Sequence, residues 1–202
     1  MSLDEIKVGP RRSSDGGVEV ARGGQDSEKI IGQAHGKYYE AGSRKRLFWA
    51  ASQAATTWSI ALATAYTGLC VSNPRMSNVN LAIVRVGFGL SVAPAAEAAI
   101  GLFGGYDADA EVTHTTPLGV YNAFLLGPHG QANADGSATL PTAPLLIEAY
   151  MSAFTAAALH GTSPVIVDVD GAIIVPPGAY VGIYALTAVV GFGSMMWEEI
   201  EI

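Results

Sequence analysis

The sequence predicts an all-β fold: a two-sheet sandwich formed by residues 47–202, preceded by an extended N-terminal arm, residues 1–46. Three observations carry this reading. About ten short segments rich in Val, Ile, Tyr, Phe and Thr are separated by Gly, Pro, Asn and Asp turn signals. No long stretch sustains a helical period. Charge then divides the chain: nine of the eleven basic side chains but only seven of the eighteen acids lie in 1–46. The two parts therefore carry +2 and −9, which make up the overall −7.

The arm is polar, holds eight glycines and has few large apolar residues. It lacks the periodicity of an independent core, so alone it is expected to be extended. A helical turn is expected around 27–34, with Asp26 or Ser27 as cap and Ile30, Ile31 and Ala34 on one face. Fully extended, an arm of this length reaches about 150 Å, past a neighbouring subunit. His35-Gly-Lys-Tyr-Tyr-Glu40 sets paired aromatics beside the body. Tyr38, Tyr39 and the basic cluster Arg44, Lys45 and Arg46 are the candidate partner-binding residues.

In the body, strands are expected at 47–53, 57–62, 68–72, 81–91, 96–103, 145–154, 165–169, 172–175, 179–190 and 194–202. Asp170-Gly171 between two apolar runs reads as a tight hairpin whose loop residues tolerate positive φ. In Pro176-Pro177-Gly178, Pro177 presets φ and Gly178 supplies the positive φ of a type II turn. Asn73-Pro74 and Asp135-Gly136 read as further turns. Trp197-Glu-Glu-Ile-Glu-Ile202 alternates, with Ile200 and Ile202 on one face and Glu199 and Glu201 on the other. Alanine favours helix at 93–99 and 156–158, but Pro94 and nearby glycines oppose it. The stretch 118–142 reads as a long loop, with room for a short helix.

Composition also limits function. The longest apolar run, 183–197, is broken by Thr187, Gly191, Gly193 and Ser194, and is shorter than the roughly 20 residues of a bilayer helix. The first residues, with Asp4 and Glu5, do not follow a signal-peptide pattern. Neither a membrane nor nucleic acid is an expected partner, because three clustered basic residues on a chain of pI ≈ 4.9 leave a weak electrostatic footprint. Cys70 is the one cysteine, and in Gly68-Leu-Cys-Val-Ser72 it reads as a small buried apolar residue. In 47–202 only two basic and eleven acidic residues remain, well below the roughly 25% charge of an ordinary domain. A surface so poor in charge is expected to be covered by other copies or by a partner.

Motifs for chemistry are sparse. Val86-Gly-Phe-Gly89 and Val190-Gly-Phe-Gly193 lack the third glycine and the lysine of phosphate loops, so glycine there is read as allowing close packing or a bulge. Asp107, Asp109 and Glu111 would share one face of a strand and could hold a hard cation, but they read better as a solvated turn. Asp168 and Asp170 are weighed the same way. His114, His129 and His160 are too scattered for a short-range ligand motif, and His114 or His160 could meet a carboxylate only through the fold. No catalytic residue, metal or cofactor is assigned, and the chain is read as a non-enzyme.

Three features together resemble the small structural proteins of tailed-bacteriophage particles. They are the polar arm, the join His35-Gly-Lys-Tyr-Tyr-Glu-Ala41 followed by Leu47-Phe-Trp-Ala-Ala-Ser52, and the all-β body. Ile173-Ile-Val-Pro-Pro-Gly-Ala-Tyr180 and Trp197-Glu-Glu199 are similar to the closing strands of trimeric jelly-roll domains in virion and tumour-necrosis-factor-like proteins. The resemblance implies a jelly-roll body, a homotrimer, and a capsid decoration or cement protein that binds the major capsid protein or another virion protein. It would be located in the virion after assembly in the host cytoplasm. A tail or fibre module binding a receptor or glycan is the alternative, with Tyr106, Tyr121 and Trp58 as its aromatic platform. A jelly-roll enzyme holding a metal is a third reading.

Overall fold

The computed structural model describes residues 5–7, 18–20, 37–58, 62–92, 94, 96, 98–153, 165–185 and 187–202. The chain divides into two units, 1–39 and 40–202. In the first, β1 (Glu5–Lys7) and β2 (Val18–Val20) form an antiparallel ribbon with Ile6 opposite Glu19. The turn expected at 27–34 lies outside the described residues. Composition places the boundary at 46/47, whereas the compact body starts at Glu40.

A single helical turn, α1 (Tyr39–Ser43), runs across the join. It ends where Lys45 takes positive φ (60°) and the Arg46 N–H donates to the Ala41 carbonyl. Backbone bonding then ties this segment to the body, because the Glu199 N–H donates to the Arg46 carbonyl.

The body strands follow in order. They are β3 (Leu47–Ala51), β4 (Thr56–Thr57), β5 (Ala65–Ser72), β6 (Val79–Leu90), β7 (Ala98–Tyr106), β8 (Thr113–His114), β9 (Pro117–Leu118), β10 (Tyr121–Asn122), β11 (Asn133–Thr139), β12 (Leu145–Ala153), β13 (Val165–Val175), β14 (Ala179–Ala185) and β15 (Val190–Glu201). One sheet has the order β10-β3-β15-β6-β13, with β4 beside β15. The other has β12-β7-β14-β5-β11-β8, with β9 beside β11. All pairings are antiparallel. The two sheets pack face to face, as the sequence predicts.

Eight of the nine body strands of five or more residues are nested, β11 being the exception. β3 pairs with β15, β5 with β14, β6 with β13 and β7 with β12. The outermost strands in sequence thus meet each other, and so on inward, as when one long antiparallel ribbon is folded over.

The core lies between the sheets. Phe48, Ile83, Val86, Phe88, Met195 and Trp197 from one sheet meet Leu69, Val71, Ile100, Leu102, Val181 and Ile183 from the other. Strand alternation sends the intervening residues of the second sheet outward. There Tyr66, Cys70, Phe103 and Tyr180 form a smaller core with Val112 and Leu140. The Tyr66 hydroxyl donates to the Ile183 carbonyl (2.6 Å), which satisfies the polar end of a buried ring. The two Val-Gly-Phe-Gly tetrapeptides pair with one another, Phe88 opposite Gly193 and Gly89 opposite Phe192. A Cβ on Gly193 would collide with Ile183 and press on Leu69, so glycine there permits the sheets' close approach.

Several turn readings hold. The Ala179 N–H donates to the Pro176 carbonyl (3.0 Å) and Gly178 has φ +86°, the expected type II turn. Asp170 and Gly171 both take positive φ, but the hairpin is corrected. The residues on either side belong to one strand, β13, and both halves pair with β6. The excursion is a bulge between Asp168 and Ile173. Asp135-Gly136 is likewise not a turn between strands but a bulge inside β11.

At the C-terminus the inward position of the alternation is taken by Glu199, and Glu201 beyond it is exposed. Glu199 is buried, while Ile200 and Ile202 are exposed. The reason is a partner: Glu199 Oε1 accepts the N–H groups of Gln131 (2.8 Å) and Ala132 (3.1 Å). A carboxylate that satisfies two backbone donors is a good inward residue.

Candidate functional site

Two places on the body could carry function: a histidine–aspartate pair beside a cleft, and the apolar outer edges of the sandwich. The pair arises from the β11 bulge. Asp135 stands opposite Cys70 of β5, on the face of the smaller core. Residues 113–118 lie along β11, with the Thr116 N–H donating to the Ser137 carbonyl and the Gly136 N–H to the Thr116 carbonyl. That path carries His114 over Asp135, and Nδ1 sits 2.7 Å from Asp135 Oδ2. The Asn133 amide approaches Nε2 at 3.3 Å. With that amide as donor, the ring proton lies on Nδ1 and is donated to the carboxylate.

Asp135 is 0% exposed, and its Oδ1 has no hydrogen-bond partner among the described residues. Burial pushes its carboxyl above the ordinary 3.8, and the His114 hydrogen bond and charge pull it part of the way back. The Cys70 thiol is also pushed well up, first by burial and then by the Asp135 charge, so it is an inert core residue, as read from the sequence. A cleft of about 320 Å³ opens beside the pair, lined by His114, Leu118, Val120, His129 and Asn133 among others. The Nε2 of His114 is engaged by an amide rather than by a hydroxyl or thiol, so the arrangement clamps 113–116 onto β11 and lacks an activated nucleophile.

The raised carboxyl sets a pH dependence. The folded protein holds the Asp135 proton more tightly than the unfolded chain does, so this group favours folding most strongly below 3.8. Stability should fall as the pH rises from 3.8 through the raised folded value. Asp135→Asn should remove that part of the slope, and urea midpoints measured across the acid range check it.

The acidic triplet is engaged in local structure. Asp107 Oδ1 accepts the N–H groups of Asp109 (2.7 Å) and Ala110 (3.0 Å), bonds that lower its pKa. Glu111 Oε1 accepts the Arg75 N–H at 2.6 Å. Among the described residues no group of three or more His, Cys, Asp or Glu side chains is placed to hold a metal. His160 lies outside the described residues. Asp168 pairs with Arg85 at 2.7 Å.

The basic cluster turns back on its own chain. Arg44 pairs with Glu40, and Arg46 with Glu198 at 3.3 Å. Lys45 lies 5.4 Å from the Phe124 ring, and its carbonyl accepts from the Asn122 side chain. In the first unit Lys37 stands over the Tyr38 ring. Tyr39 is exposed at the start of α1. Of the three platform candidates, Trp58 is buried in the main core, whereas Tyr106 and Tyr121 are exposed. Tyr121 stacks on Trp49, with centroids 4.9 Å apart.

Apolar exposure concentrates at the edges of the sandwich. On β12, the end strand of its sheet, Leu145 (75% exposed), Leu146 and Ile147 are all open to solvent. Ile166 and Ile174 are exposed on β13, the end strand of the other sheet. At that sheet's opposite end, Tyr121 on β10 is followed by exposed Phe124, Leu125 and Leu126. On the sheet's outer face, Phe192, Ile166, Gly87 and Gly89 line a shallow apolar groove of about 290 Å³. Long, apolar, unpaired edges are what folded chains ordinarily avoid exposing.

No family model matches the chain, and neither a curated protein nor a solved structure is similar to it.

Proposed function

We propose that this chain is a non-enzymatic structural protein of a bacteriophage particle. In this reading it is a capsid decoration or cement protein that assembles as a homotrimer, binds the major capsid protein or another virion protein, and stabilises the head. The observation that carries the reading is the charge-poor body with apolar side chains exposed along both edges. Such surfaces suit a permanent place in an assembly. The nested pairing of β3 with β15, β5 with β14, β6 with β13 and β7 with β12 supports reading the body as a jelly roll, an architecture common in capsid domains. The arm expected from composition overlaps the separate unit 1–39.

One observation favours a second reading. The Trp49–Tyr121 stack offers an exposed aromatic surface, which a tail or fibre module could use to bind a glycan or receptor.

Immunogold labelling of intact particles with antibody against the body separates the two. Label over the head surface is the expected result. Label confined to the tail tip would favour the second reading, and unlabelled particles would overturn both.

A further inference from the structure

We propose that the body binds one divalent transition-metal ion of the zinc type between His114 Nε2 and the Glu111 carboxylate. Both side chains, with Asn133 and Ser72, line a small cavity of about 10 Å³ beside the Asn73–Pro74 turn. That is the space of one water or one ion. His114 is presented as metal-binding histidines are. Its Nδ1 lies 2.7 Å from Asp135 Oδ2, so the buried carboxylate keeps the ring proton on Nδ1, fixes the ring's orientation and leaves a lone pair on Nε2. The Asn133 amide meets Nε2 at 3.3 Å, a long contact, and a half-turn of that amide brings its oxygen to an ion there. Glu111 is held in place through Oε1, which accepts the Arg75 N–H at 2.6 Å. A carboxylate has lone pairs beyond that one bond.

Charge calls for a cation at this place. With His114 neutral, no described residue lining the cavity is positive, while Glu111 is an acid and Asp135 stands behind the ring. Asp135 Oδ1 has no hydrogen-bond partner among the described residues. An ion on Nε2 offsets both carboxylates. One imidazole nitrogen and one carboxylate, completed by the Asn133 amide and water, suit zinc better than calcium or magnesium, which favour oxygen donors alone. Two of these donors are a histidine and a carboxylate, so the site needs no third side chain of that kind. Glu111 and His114 belong to the connection from β7 into β8, whereas Asn133 opens β11 and pairs with Ser72 of β5. The ion therefore cross-links the connection to the sheet, a structural role that does not depend on the virion reading.

The test is zinc titration of the full chain after treatment with a chelator, read by calorimetry and by thermal unfolding. One zinc ion per chain and a Tm that rises with zinc are the expected results. Glu111→Gln and His114→Gln should each weaken binding at least about 10-fold, and Asp135→Asn, which keeps both ligands, about 10- to 100-fold. The readout is the difference in Tm with and without zinc, which a variant that merely loosens the fold does not abolish. Glu111 is exposed, so Glu111→Gln remains decisive if His114→Gln disturbs folding. His129→Gln is the control, because His129 is exposed and does not line this cavity, and it should leave the affinity unchanged. A wild-type chain that takes up no zinc overturns the proposal. Binding that survives both Glu111→Gln and His114→Gln, or that is lost with His129→Gln, also overturns it and assigns the metal to surface histidines.

Discussion

Glu199→Ala should destabilise the body by about 2–5 kcal/mol, because it strips the acceptor from two backbone donors in a nearly closed site. Glu199 is 7% exposed, and both of its oxygens accept the Gln131 N–H, at 2.8 and 3.0 Å. Oε1 also accepts from Ala132 and lies 3.5 Å from the Trp197 indole nitrogen. Alanine would leave the Gln131 and Ala132 N–H groups without that partner. It would also release the 129–132 segment, which the Gln131 side chain otherwise links to Asn78 at 2.6 Å. Glu199→Gln keeps one acceptor oxygen and should lose roughly half as much. Urea denaturation of the three proteins measures the order. A Glu199→Ala protein within about 0.5 kcal/mol of wild type would show that the carboxylate is not holding this loop.

Gly101→Ala should have an effect of similar size. A Cβ at this position of β7 would collide with the Glu148 carbonyl and lie 2.7 Å from the Ala149 Cα. Both obstacles are backbone, so no rotamer change relieves them and β12 must move. The expected cost is about 1–3 kcal/mol, and the displaced strand is the one that carries Leu145, Leu146 and Ile147. Gly89→Ala is the control, since its Cβ would meet nothing within 4 Å. Thermal unfolding and native mass of both variants give the comparison, and equal behaviour would contradict the proposed fit of β12 on β7.

Most of the sandwich was legible because its strands are apolar, β-branched and separated by turn residues whose chemistry is local. The Pro176-Pro177-Gly178 turn needs only its own residues, and it forms as read. β11 was hidden because Asn133-Ala-Asp-Gly-Ser-Ala-Thr139 has poor strand propensity and contains an Asp-Gly pair. Pairing with β5 on one side and with β8 and β9 on the other makes it a strand, and no window of sequence contains that information. Asp170-Gly171 carries the same lesson. Positive φ was predictable, but whether the flanking residues pair with each other or with a third strand was not.

The histidine–aspartate pair was hidden for the same reason as β11. His114 and Asp135 are far apart in sequence, and their meeting depends on the bulge in a strand read as loop. The one available signal was Asp135 as an acid within a charge-poor stretch, where turn chemistry offered a simpler explanation. The intramolecular partners of the basic cluster were hidden as well. Arg44-Lys45-Arg46 reads as a docking site, yet two of its side chains pair with the chain's own acids and the third covers Phe124. Periodicity also left open which face at the C-terminus is buried, and Glu199 turns inward because the Gln131 and Ala132 N–H groups meet it there.

The charge deficit, by contrast, was readable at once. Its structural counterpart is the exposed leucine and isoleucine on β12 and β13. The most direct test of the account is the native mass of the full chain in dilute solution, beside a version that begins at Glu40. The account predicts a trimer for both, because the charge-poor, apolar surface it rests on belongs to the body. A stable, well-folded monomer in both cases would contradict it.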